Sequence, residues 1–103
     1  MIKRSSVTFT VTQGETSGTF VCAGQTARCL LALVAAGDRG ITALEVSNWA
    51  LRLSAYVFEL RNRFGLEVAM EREAHDGLCG PGWHGRYRLL SSVELVEVID
   101  AAA

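Results

Sequence analysis

The chain has 103 residues, half of them apolar and 20% charged, a globular composition that fits one domain with a single modest core and excludes a disordered chain. A formal net charge of −1 argues against a non-specific polyanion binder, which shows clustered Lys and Arg and a high pI. The longest apolar run, "CLLALVAAG", is about half the roughly 18 residues that a membrane span needs and reads as a buried helix. The start, "MIKRSSVTFTV", is basic but carries neither a long apolar core nor a clear cleavage site, and reads as mature sequence. Cys22, Cys29 and Cys79 are odd in number and none stands in C-x-x-C spacing, which points to free thiols, a reducing compartment and a cytoplasmic location. Cys29 lies in an apolar helical pattern and reads as a small buried hydrophobe.

From Ser6 to Thr12 apolar Val7, Phe9 and Val11 alternate with Thr8, Thr10 and Thr12, the period of a strand. "QGETSG" follows as a loose loop and "TFVCAG" as a return strand, making a hairpin. From Gln25 to Ala36 the residues Ala27, Leu30, Leu31 and Val34 recur at helical spacing, and Gly37 and Gly40 bracket the exit. Thr42 with Glu45 spells a capping box, so a second, short helix is expected to run to Asn48 or Trp49 with Leu44 facing inward. After a bend near "NWAL", Leu53, Val57, Leu60 and Phe64 make one stripe of a third helix from Arg52 to Phe64, closed by Gly65.

"LEVAMER" alternates Leu66, Val68 and Met70 against Glu67, Ala69 and Glu71, and reads as a half-buried strand. "EAHDGLCGPGWHG" holds the only proline and four glycines and is expected to be a loop. "RYRLL" is the return strand, with Tyr87 and Leu89 on one face and Arg86 and Arg88 on the other. In the tail, Ser91 and Glu94 fit another capping box and Val93 and Val96 an apolar face, so a short helix is expected, with a strand as the alternative.

Three helices followed by a β-hairpin is the winged helix-turn-helix plan. The stretch "GITALEVSNWALRLSAYVFELRNRFGLEV" resembles a family of small bacterial and phage winged-helix domains. The resemblance is carried by Gly40, Ile41, Thr42, Leu44 and Glu45, by Arg52 and Leu53, and by Glu59, Leu60, Arg61, Arg63 and Gly65. The chain departs from the pattern in a shorter link before "RL", a longer wing loop and the N-terminal hairpin. The resemblance implies a winged helix-turn-helix core of three helices and a β-hairpin wing (25–90), and with the flanking segments read above a single α+β domain, residues 1–103, is expected, with an N-terminal β extension, strand or hairpin (1–24), and a C-terminal tail helix (91–103). It also implies double-stranded DNA as partner, with the third helix in the major groove and the wing on the backbone.

On a helical wheel the face opposite the core stripe holds Ala55, Phe58, Glu59 and Asn62, with Arg52, Tyr56 and Arg63 on one shoulder and Ser54 and Arg61 on the other. The candidate DNA-contacting residues are therefore Arg52, Ser54, Ala55, Tyr56, Glu59, Asn62 and Arg63 of the helix, with Arg86 and Arg88 of the wing. Arginine suits guanine edges and phosphates, and Asn suits adenine. Glu59 either accepts from cytosine or pairs with Arg63 one turn on. Phe58 suits a protein contact better than a groove, or packs under the wing or the hairpin. Glu67, Glu71 and Glu73 offset much of the wing's positive charge, so one copy should bind weakly and a homodimer or protein partner is expected. The rival reading is a protein-interaction or dimerisation module.

His75, Cys79 and His84 offer borderline metal ligands in one loop, but lack the second tight pair of structural zinc sites, and no metal or other cofactor is expected. A Cys–His pair without an oriented third group does not make a nucleophile site, so no enzyme is expected. No membrane partner is expected either.

Overall fold

The computed structural model describes residues 5–50, 52–77 and 80–99. In chain order these form β1 (Ser6–Gln13), β2 (Thr16–Ala23), α1 (Gly24–Ala36), a 3-10 turn (Gly37–Arg39), β3 (Ile41–Thr42), α2 (Leu53–Phe64), β4 (Val68–Gly77), β5 (Gly80–Leu89) and β6 (Ser92–Ile99). Two three-stranded antiparallel sheets result, ordered β2-β1-β6 and β3-β5-β4.

The N-terminal hairpin is part of the core and not an extension from it. Val7, Phe9 and Val11 of β1 and Cys22 of β2 are buried together with Ala27, Cys29, Leu30 and Leu33 of α1. The expected loose loop is tight: Gln13 pairs with Thr16, leaving two turn residues, with Gly14 at φ 60 in the first of them. A glycine there is the pattern of a type II′ turn, whose twist matches that of the strands. Phe9, Phe20 and Phe64 pack with ring centroids 5.5–6.0 Å apart, tying this sheet to the end of α2.

The three-helix core is corrected to two helices among the described residues. Residues 43–49 are turns, although the Thr42–Glu45 box forms as spelled: the Thr42 N–H donates to Glu45 at 2.9 Å and the Glu45 N–H to the Thr42 hydroxyl at 3.3 Å. Beyond it, i→i−4 bonds from Val46 and Ala50 mix with i→i−3 bonds from Ser47 and Trp49. Val46, Ser47, Asn48 and Trp49 are weak helix formers, so the box starts a turn that nothing propagates. Leu44 does not face inward: it is 81% exposed, and Val46 and Ala50 are buried instead. Leu51, within the expected bend, lies outside the described residues.

The glycine-rich loop is also corrected. β4 and β5 stay paired out to Gly77 and Gly80, so most of the expected loop is strand and the wing is a long ribbon. The tail is the third correction. It is strand β6, antiparallel to β1, with a bulge at Val96, where Thr8 pairs with Glu97 and Phe9 with Leu95. Val93, Leu95 and Val98 lie opposite the buried Val11, Phe9 and Val7, while Val96 is the extra, exposed residue, and its place three positions after Val93 imitates a helical face. Ser91 caps nothing; its hydroxyl accepts the Glu67 N–H at 2.7 Å.

Gly40 makes the join between β3 and the wing. It sits at φ 68, and a Cβ there would collide with the Tyr87 carbonyl of β5. Gly40→Ala should therefore lose roughly 3 kcal/mol or more, combining the cost of a positive φ with a displaced strand. Gly14→Ala, at a similar φ with open space around it, should lose only about 1–2 kcal/mol. Thermal unfolding of the two variants side by side checks this.

Candidate nucleic-acid interface

α2 is held by its apolar seam. Leu53, Val57 and Leu60 are buried, Phe64 is packed against the core, and Gly65 closes the helix in the left-handed region with its N–H on the Leu60 carbonyl. Fully burying each of these leucines and valines contributes about 1.5–3 kcal/mol, so the helix cannot roll without losing most of its anchorage. Arg61 is a second anchor: its Nε donates to the Val68 carbonyl at 3.1 Å, clamping α2 to the start of β4.

The side turned away from the seam is open. Ser54, Phe58 and Asn62 are exposed, Phe58 to 61%, so it packs under neither the wing nor the hairpin. Ala55, Tyr56 and Glu59 are half-buried, and Tyr56 packs against the core. Arg52 is exposed at the N-terminus of α2, where no side chain caps the first turn. Arg63 is 3.7 Å from Glu59 and its guanidinium lies 5.2 Å from the Phe64 ring centre. Asn62 donates its Nδ2 to the Phe58 carbonyl at 2.9 Å, which uses one of the amide's two N–H donors and leaves the other N–H and Oδ1.

Arg86 and Arg88 share one wing face, as strand alternation expects, but both are engaged within the molecule. Arg86 Nε donates to Glu73 at 2.6 Å, and its Nη1 to Glu45 at 3.3 Å and to the Arg39 carbonyl at 3.1 Å, leaving the side chain 17% exposed. Arg88 donates to the Asp38 carbonyl at 2.7 Å and to the Glu71 carboxylate. His84 meets Glu73 at 2.9 Å. This ladder fastens the wing to the 3-10 turn and to the capping box. Hydrogen bonds from Arg86 and then His84 hold the Glu73 carboxyl below its usual range. At Glu45 desolvation pushes upward, but the Thr42 N–H, Arg86 and Arg39 outweigh it and the net direction is down. Glu73 in turn raises Arg86.

On the opposite wing face the guanidinium of Arg72 lies 4.5 Å from the ring centre of Trp83. The sequence alone did not bring these two together, because a loop has no register; counted as paired strands, Trp83 falls opposite Ala74, on the face of Arg72. Of the three side chains weighed as metal ligands, those of Cys79 and His75 lie outside the described residues, and His84 bonds to Glu73. Burial pushes the thiols of Cys22 and Cys29 up to about 11 and about 12, which keeps both protonated at neutral pH.

A family model described as a winged helix domain matches residues 19–99, more than three quarters of the chain, from within β2 to the end of β6. No curated protein and no solved structure matches the chain.

The ladder sets an acid limit on stability. Glu45 and Glu73 titrate lower folded than unfolded, so their contribution is full above the ordinary glutamate value of about 4.3 and is lost as pH falls through the lower folded values. Arg86→Met removes the shared cation, and its melting temperature should fall less steeply than that of the parent between about pH 5 and pH 3, by the same linkage. Melting temperatures measured across that range check it.

Proposed function

The chain belongs to the winged helix domain family, and from that premise we propose that it binds duplex DNA, with α2 as the reading helix. The observation that carries this is the presentation of α2: its seam is fully buried while Ser54, Phe58 and Asn62 face outward. Helices that read the major groove contact base edges mainly from their N-terminal part. There α2 offers Arg52 and Ser54, followed one turn on by Ala55 and Tyr56, with Glu59, Asn62 and Arg63 further along. Of these, Arg52 supports the strongest contact, because no carboxylate pairs with it among the described residues. Arg86 and Arg88 act in this reading as struts that orient the wing. A transcriptional regulator or phage accessory factor is the role that suits such a module.

Affinity from one copy is modest, because few guanidiniums are unpaired and Glu59 faces the groove. The expected behaviour is binding at low ionic strength that fades with added salt, with a shallow slope of about −2 to −4 in log K against log salt per copy, the value for a few neutralised phosphates. A second reading, a protein-interaction module, is favoured by one observation: Leu44 and Phe58 are large, apolar and exposed. Neither reading includes catalysis or a bound cofactor. Among the described residues no helix is long and apolar enough to cross a membrane, and neither reading calls for one.

A mobility-shift series on mixed duplexes from low to physiological salt tests the proposal. Arg52→Ala should weaken binding about fivefold to tenfold, roughly 1–1.4 kcal/mol, and reduce the salt slope by about 1. Absence of a shifted band at low salt with concentrated protein overturns DNA binding. Self-association that Phe58→Ala abolishes, without any duplex binding, would establish the second reading.

A further inference from the structure

We infer that the wing's phosphate-contacting cation is Arg72, carried on Trp83, and not Arg86 or Arg88; this rests on the DNA-binding reading above. The reason is how strand alternation sorts charge. Directly opposed residues of an antiparallel pair share a face. Ala69 with Arg88, Glu71 with Arg86, and Glu73 with His84 therefore lie on one side of the wing. Val68 with Leu89, Met70 with Tyr87, Arg72 with Gly85, and Ala74 with Trp83 lie on the other.

The first side contains the ladder, where each arginine donates to a carboxylate and to a backbone carbonyl of the 3-10 turn. A phosphate approaching there meets acids already matched to bases. On the second side Arg72 is the one ionised side chain from Val68 to Ala74 and from Trp83 to Leu89, and no carboxylate pairs with it among the described residues. Glu71 and Glu73 lie on the other side, and Asp76, opposite Pro81, comes four residues further out. A chain with net charge −1 thus keeps a strip from Val68 to Ala74 whose one charge is positive.

The strip is also placed and stiffened for contact. Its base is Val68, buried in the core against which α1 and α2 pack, so the Arg72 side is the side of the wing that looks toward the helices. Gly85 leaves room above Met70, whose side chain covers it, and the absence of a larger neighbour opposite Arg72 leaves the guanidinium beside Trp83. Trp83 is 54% exposed and flat, so it orients the planar cation while leaving its outer N–H groups available. The geometry suits a backbone phosphate beside the groove that α2 enters, with the indole resting on the sugar edge.

The test measures duplex binding by fluorescence anisotropy over a salt series for the full chain and the variants Arg72→Gln, Arg72→Lys and Arg86→Gln, with thermal unfolding of each. Arg72→Gln should bind threefold to tenfold more weakly and lower the salt slope by about 1, with an unchanged melting temperature. Arg72→Lys should keep the slope. Arg86→Gln should keep the slope and lower the melting temperature. If the parent binds and Arg72→Gln matches it in affinity and slope, or if Arg86→Gln alone loses slope, the assignment of Arg72 is overturned and DNA binding stands. If the parent itself binds no duplex at low salt, the DNA-binding reading fails and this assignment falls with it.

Discussion

The burial of Leu53, Val57 and Leu60 is the constraint on which the rest of this molecule depends. Those side chains close the space between the two sheets and α1, and in doing so they set which way α2 faces. The hairpin and β6 matter because they complete that space. Val7, Phe9 and Val11 supply the wall that a second full helix would otherwise provide, and Phe9 and Phe20 grip Phe64 at the helix end. A chain this short has little core to spare, so the N-terminal strands and the tail are structural necessities.

The residues that make this stretch resemble winged-helix domains act mostly on the fold. Gly40 admits the β5 backbone, Ile41 is buried, and Thr42 and Glu45 cap each other. Arg61 ties α2 to β4, and Gly65 ends the helix. Of the exposed cations of that set on α2, Arg61 is engaged by the Val68 carbonyl, which leaves Arg52 and Arg63. The match therefore identifies a scaffold, and what the scaffold touches must be argued from the side chains left over.

Much of that scaffold was legible. The alternation of β1, the seam of α2 and the Thr42–Glu45 box each carry their physical signal within a few residues. The failures have local causes. Val96 is an extra, exposed residue in β6, and its apolar side chain three positions after Val93 imitates a helical interval. Glycine and proline mark turns in most contexts, yet in the wing they occupy a ribbon whose ladder of hydrogen bonds continues between them. Residues 43–49 carry a start signal without propagation, so the helical pattern points Leu44 inward although it lies outside. At the site, exposure of Ser54 and Asn62 followed from the helical period. The engagement of Arg86 and Arg88 did not, because it depends on Asp38, Arg39 and Glu45, far away in sequence.

In the proposed reading one surface, made of the outer side of α2 and the Arg72 side of the wing, meets the duplex while the rest of the molecule only supports it. A two-dimensional NMR titration of the labelled protein with a short duplex at low salt tests this most directly. Amide shifts are expected along Arg52 to Asn62, together with movement of the Trp83 indole resonance, while Glu71, Arg86 and the strands of the β2-β1-β6 sheet stay in place. Shifts gathered on that sheet, or none at any duplex concentration, would contradict it.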